Sequence, residues 1–160
     1  MLENKNMEDV SMLLHSHAIT TSEVPGELAL ALNISGCPFS CTDCHTPELQ
    51  NNVGLALTEE LFLELLDENK GISAVCFMGG DTHKEELVGL LSLAKANGLK
   101  TCLYTGAQYV HPRILKLLDF LKVGKYISEL GGLGSISTNQ RFYYLETGEL
   151  WNYKFKRRII

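Results

Sequence analysis

Apolar positions in this chain fall into short unbroken runs that alternate with stretches at helical spacing. Leu28 to Ile34 is an apolar run of strand length ending at Ser35-Gly36. Thr58 is placed as an N-cap before Glu59 and Glu60, and Leu61, Leu65 and Leu66 then recur at helical spacing up to Asn69-Lys70-Gly71. Ile72 to Met78 is a continuously apolar strand candidate closed by Gly79-Gly80. Lys84 to Ala96 predicts a helix with Leu87, Leu90, Leu91 and Ala94 on one face, stopped by Asn97-Gly98. Lys100 to Tyr104 predicts a strand ending at Thr105-Gly106. His111 to Leu121 predicts a helix with Pro112 in its first turn, and Val123 to Ile127 a further strand. Gly131 to Gly134 opens a loop, either a lid or a simple turn. Arg141 to Leu145 and Leu150 to Phe155 flank Glu146-Thr147-Gly148-Glu149, which predicts a hairpin. The first 25 residues carry no readable pattern.

This alternation predicts an α/β fold: a mostly parallel sheet with right-handed crossovers, about four βα units and a C-terminal hairpin. The length of 160 residues predicts one domain over residues 1–160, with 1–22 as an N-terminal segment. A closed eight-unit barrel typically needs ~250 residues, so it does not fit.

Composition narrows the function classes. The net charge of −5 gives no reason to expect a nucleic-acid or membrane-surface binder. No apolar run approaches the ~20 residues of a membrane helix, and the first ten residues lack a signal-peptide layout, so a cytoplasmic location is expected. Five cysteines cannot all pair within the chain, and a cytosolic chain keeps them reduced. Cys76 and Cys102 lie inside apolar runs and read as core thiols. Cys37, Cys41 and Cys44 fall within one polar loop, Gly36-Cys37-Pro38-Phe39-Ser40-Cys41-Thr42-Asp43-Cys44-His45.

The C-x3-C-x2-C spacing points to metal chemistry. Thiolates ligate iron–sulfur clusters and zinc. Three thiolates on a four-iron cluster leave one iron open to a substrate chelate. Zinc would need a fourth ligand; His45 adjoins Cys44, but sequence neighbours chelate one tetrahedral ion poorly, and no second C-x2-C occurs.

Other motifs stand in a fixed order around this loop. Glu23-Val24-Pro25-Gly26 precedes the first strand, and Asn33-Ile34-Ser35-Gly36 leads into Cys37. Cys44-His45-Thr46-Pro47-Glu48 follows, then Met78-Gly79-Gly80-Asp81, Tyr104-Thr105-Gly106, Val123-Gly124-Lys125-Tyr126 and Ser137-Thr138-Asn139-Gln140-Arg141. Over residues 23–153 this resembles the radical S-adenosylmethionine superfamily and, within it, the activating enzymes of anaerobic (class III) ribonucleotide reductase. The resemblance implies a 4Fe-4S cluster on Cys37, Cys41 and Cys44, with S-adenosylmethionine chelating the open iron. It implies reductive cleavage to methionine and a 5′-deoxyadenosyl radical, which takes a hydrogen from a glycine of the partner reductase. It implies a one-electron donor such as flavodoxin or ferredoxin. About four βα units make an incomplete barrel whose open side admits the partner's glycine loop.

The resemblance assigns Gly79, Gly80 and Asp81 to the methionyl amino group of the cofactor. Glycines let backbone approach a ligand, and a carboxylate accepts from an ammonium. Taken alone, Gly79-Gly80-Asp81 is also an ordinary strand-to-helix turn with Asp81 or Thr82 as the cap. Many members of the superfamily carry an aromatic residue before the last cysteine; Asp43 stands there, and the ring follows as His45, expected near the adenine or the cluster. Tyr104 and Thr105 are expected at the ribose, and Asn139, Gln140 and Arg141 on the substrate or partner side. Glu27-Leu28 follow the upstream Pro-Gly where related activases often carry arginine, so no contact is assigned there.

Several residues read as bland. His15 and His17 lack carboxylate support, His83 and His111 sit near helix starts, and the basic tail is too short for nucleic acid. Two alternatives to the reductase activase remain. One is an activase of another glycyl-radical enzyme, although such relatives are usually longer and carry extra cysteine clusters. The other is a non-catalytic zinc-binding module, which has no need of Gly79-Gly80-Asp81.

Overall fold

The computed structural model describes residues 11–36 and 53–155. Its elements are β1 (Leu13–Thr20), β2 (Ala29–Ile34), β3 (Leu55–Ala56), α1 (Glu59–Glu68), β4 (Ala74–Met78), α2 (Lys84–Ala96), β5 (Lys100–Tyr104), α3 (Pro112–Leu115), β6 (Phe120–Val123), β7 (Arg141–Tyr144) and β8 (Glu149–Leu150), followed by a 3-10 turn at Asn152–Phe155. The strands form one mixed sheet in the order β3-β1-β2-β4-β5-β6-β7-β8. The ladders joining β2, β4, β5 and β6 are parallel. Those joining β3 to β1, β1 to β2, β6 to β7 and β7 to β8 are antiparallel. The sheet is therefore only partly parallel, because the segment before residue 23 supplies β1 and the C-terminal hairpin joins the same sheet. Among the described residues three helices cross between the parallel strands, and β6 continues through a loop to β7.

Strand alternation divides the core into two faces. Leu30, Leu32, Ile34, Val75, Phe77, Leu103, Leu121 and Val123 face the helices, where Phe62, Leu65, Leu87, Leu90, Leu91, Ala94 and Ile114 meet them. The opposite face carries Ala29, Ala74, Cys76, Cys102, Phe120 and Phe142, covered by Val24, Leu133, Trp151 and Phe155. Apolar packing on both faces explains why the parallel strands read as unbroken apolar runs.

Local chemistry sets the element ends. Thr58 caps α1 by accepting from the Leu61 N–H at 3.1 Å. Gly54 before β3 has φ +122°, and a Cβ there would lie 2.1 Å from the Leu14 carbonyl oxygen, so only glycine fits. His111 caps α3 through Nδ1, which accepts from the Arg113 N–H. That helix ends at Leu115 rather than Leu121, and the next strand is Phe120–Val123 rather than Val123–Ile127. Asp119 makes the break: its carboxylate accepts from the Thr101 N–H at 2.9 Å and from Lys95 Nζ at 3.0 Å, pinning the chain beside β5. The expected second hairpin strand is short, and the chain turns at Asn152 instead. Asn152 Oδ1 accepts from the Phe142 N–H, and its Nδ2 donates to the Gln140 carbonyl, both at 2.8 Å.

Phe77 is fully buried and stacks on Phe62 at 6.0 Å between ring centroids. Phe77→Ala is expected to lower the unfolding free energy by about 3–5 kcal/mol, read by urea titration of the far-ultraviolet circular dichroism.

Candidate functional site

The C-terminal ends of the four parallel strands lie side by side. Asn33 pairs with Met78, Met78 with Tyr104, and Tyr104 with Lys122. From this rim β2 leads through Ser35-Gly36 to residue 37, β4 into Gly79-Gly80-Asp81, β5 into Thr105, and β6 into Gly124. Cys37, Cys41, Cys44 and His45 lie outside the described residues. The two described residues that bracket them are fastened together. Ser35 N–H donates to the Leu13 carbonyl at 3.0 Å, and Ser35 Oγ accepts from the Val53 N–H at 3.2 Å. The cysteine segment thus leaves and rejoins the sheet at one place on the rim.

Gly79 and Gly80 have φ of +98° and +102°, the left-handed region open to glycine. A Cβ on Gly80 would meet Met12 Sδ at 2.8 Å, and one on Gly79 would lie 3.5 Å from the Ile34 carbonyl oxygen. The turn therefore runs directly against the last residue of β2, and Gly79 N–H donates to the Tyr104 carbonyl at 2.9 Å.

Neither Asp81 nor Thr82 caps α2. The cap position is His83, which makes no side-chain capping bond. Asp81 Oδ2 instead accepts from Thr105 Oγ1 at 2.9 Å. The plain reading of this turn as a helix cap is thereby removed. A carboxylate offers about four lone-pair sites, so one bond from Thr105 leaves it able to take a cation.

Tyr104 is half-buried, and its hydroxyl donates to the Glu23 carbonyl at 2.5 Å, tying β5 to the Glu23-Val24-Pro25-Gly26 segment. Burial pushes its phenol well up, with the Cys76 and Cys102 thiols and Glu23 adding to the shift. The phenol thus stays protonated and remains a donor. Thr105 is 2% exposed, and its hydroxyl donates to Asp81 Oδ2 and accepts from the Ala107 N–H at 3.0 Å.

The sequence reading passed over Lys122. It is buried at 8% exposure, and its Nζ donates to the Thr105 carbonyl at 3.1 Å and the Gly124 carbonyl at 3.0 Å. It also lies 5.6 Å from the Tyr104 ring centroid. The available signal was a lysine inside the apolar run Phe120-Leu121-Lys122-Val123, where burial demands polar partners. Asn139 and Gln140 serve the same turn. Gln140 Nε2 donates to the Gly124 carbonyl at 3.2 Å, and Asn139 Nδ2 to the Lys125 carbonyl at 3.1 Å. Arg141 Nη1 donates to the Thr138 and Gln140 carbonyls. These side chains thus bond within the chain.

The loop at Gly131–Gly134 is tied down: Thr138 Oγ1 donates to the Gly131 carbonyl at 3.0 Å, and Ser137 Oγ to the Leu130 carbonyl at 2.9 Å. His15 and His17 are exposed on β1. Among the described residues no group of three His, Cys, Asp or Glu is placed to hold a metal, and no helix is long and apolar enough to cross a membrane. Cys76 and Cys102 are adjacent across β4 and β5 and fully buried, in keeping with core thiols. Burial, and then the neighbouring Cys76, hold the Cys102 thiol well above its ordinary range.

The sequence model of a family described as a 4Fe-4S single cluster domain matches residues 25–143. With well over half of its length matched, the chain belongs to this family, which is found in radical S-adenosylmethionine-type proteins. No curated protein matches the chain. The matched span begins at Pro25, ahead of β2, and ends inside β7, so it takes in the cysteine loop and the whole parallel rim. Iron–sulfur binding follows from the family, and Cys76 and Cys102 are both buried in the core.

The division of thiols is directly testable. Iodoacetamide is expected to leave Cys76 and Cys102 unmodified in the folded protein and to label both in guanidinium, read by peptide mass spectrometry.

Proposed function

We propose that this protein is a radical S-adenosylmethionine activase that installs a glycyl radical on anaerobic ribonucleotide reductase. The observation that carries the reading is the Gly79-Gly80-Asp81 turn, packed against Ile34, the last residue of β2 and three positions before Cys37, with its carboxylate held by Thr105 rather than used as a helix cap. A glycine-lined main chain beside a carboxylate suits the amino group of an amino acid cofactor. The cluster family and the C-x3-C-x2-C spacing supply the other half.

In this reading Cys37, Cys41 and Cys44 hold three irons of a 4Fe-4S cluster. A cluster bound there would supply the one-electron reduction of S-adenosylmethionine, whose C–S cleavage to methionine and a 5′-deoxyadenosyl radical lets hydrogen be taken from the partner's glycine. The chain's own residues bind and orient. Gly79 and Gly80 let the main chain approach the methionyl end, and Asp81 accepts from its ammonium. His45 packs beside the adenine or the cluster. Tyr104 offers a ring edge, since its hydroxyl holds Glu23. Residues 1–160 act as one domain, a partial barrel in which three helices cover one face of the sheet. The open side of the partial barrel, at the rim, admits the reductase loop. The electron comes from a cytoplasmic donor such as flavodoxin or ferredoxin.

Anaerobically reconstituted protein is expected to hold about four irons per chain. Single Cys37→Ala, Cys41→Ala and Cys44→Ala variants are expected to lose the visible cluster absorption while keeping the far-ultraviolet signal. Electron paramagnetic resonance of the reduced protein with S-adenosylmethionine and the cognate reductase is expected to show a glycyl doublet. A protein that takes up only zinc, or that cleaves S-adenosylmethionine without ever yielding the doublet, would point to a zinc module or to a different substrate.

A further inference from the structure

Thr105 has every polar atom committed. Its N–H donates to the Lys122 carbonyl at 2.9 Å, and its carbonyl accepts from Lys122 Nζ at 3.1 Å. Its hydroxyl donates to Asp81 Oδ2 at 2.9 Å and accepts from the Ala107 N–H at 3.0 Å. Lys122 Nζ bonds Gly124 as well, so one buried ammonium clamps the ends of β5 and β6 together. Gly124 N–H in turn donates to the Ala107 carbonyl at 2.9 Å. Thr105 cannot turn its hydroxyl elsewhere without breaking its bonds to Asp81 and Ala107, and Lys122 fixes the backbone that carries it. Asp81 follows two positive-φ glycines, and its carboxylate accepts from that hydroxyl.

We propose that Thr105 is a positioning residue for Asp81, locked by Lys122, and that it fixes the carboxylate for an ammonium-bearing ligand rather than touching the ligand itself. This rests on reading residues 79–81 as the amino-group site of S-adenosylmethionine. The hydroxyl presets which carboxylate oxygen faces away, so the ligand does not have to freeze a rotating side chain on binding. Removing the Cγ2-sized difference alone should not matter; removing the hydroxyl should.

The test compares two ligands on the cluster-loaded full chain by equilibrium dialysis: S-adenosylmethionine, and its analogue lacking the amino group. Thr105→Val is expected to weaken binding of S-adenosylmethionine about tenfold, the loss of one hydrogen bond to a charged group. It is expected to leave the analogue's binding unchanged, with Thr105→Ser restoring the wild-type preference. Lys122→Met is expected to show the Thr105→Val pattern; if that variant does not fold, the two Thr105 variants decide. Equal losses for both ligands, or no loss for either, overturn the positioning role. Asp81→Asn separates the two layers. If it binds S-adenosylmethionine like wild type, the amino-group site itself is wrong. If Asp81→Asn loses the preference and Thr105→Val keeps it, only the positioning role fails.

Discussion

A helix joining two parallel neighbours crosses in the right-handed sense, because a twisted strand feeds it that way. A chain that keeps adding strands in one direction must then lay every crossover helix on the same face. This protein does so from β2 to β4, β5 and β6. The helices bury Phe77, Leu103 and Leu121 on one side, and the other side is left to alanine, cysteine and a few aromatic rings. The same constraint sends all four strand ends to one rim. Ser35-Gly36 at the end of β2, the double-glycine turn, Thr105 and Gly124 share this rim for that reason, although up to about ninety residues separate them in sequence.

Strand ends leave carbonyl groups beyond the last ladder bond, and buried carbonyls need partners. At this rim the partners are side chains. Gly124 takes Lys122 and Gln140, Lys125 takes Asn139, and Thr105 takes Lys122. A buried ammonium is tolerable only where such acceptors converge. The polar residues near the site therefore divide into those that shape the rim from beneath and those that face outward from it. Asn139, Gln140 and Lys122 belong to the first group.

The sequence made the parallel core legible wherever burial on both faces left an unbroken apolar run, as in Ala74–Met78. It was silent on β1, whose Leu13–Thr20 stretch is mostly exposed and so lacks a clean alternation. The two-residue strands β3 and β8 are too short to leave any periodicity. Leu117 to Leu121 fits helical spacing and strand burial equally well; a carboxylate reaching across to Thr101 decided it, and no local pattern encodes that. The candidate site divides the same way. Cysteine spacing and the Gly-Gly-Asp turn are local chemistry and stand out in the text of the chain. The contact of Asp81 with Thr105, and of Thr105 with Lys122, exists only once β4, β5 and β6 lie side by side.

Asn152 carries a consequence for the far edge of the sheet. Its side-chain amide meets the Gln140 carbonyl and the Phe142 N–H, as the backbone of an added parallel strand would. The Trp151 N–H takes the Phe142 carbonyl beside it at 2.7 Å. A single side chain thus imitates a peptide unit and ends the ladder by molecular mimicry. The outer edge of β7 presents no vacant row of donors and acceptors at these positions, which denies a stray extended chain its template there. One side chain thus completes the ladder of β7 ahead of β8, whose pairing with β7 can stay two residues long.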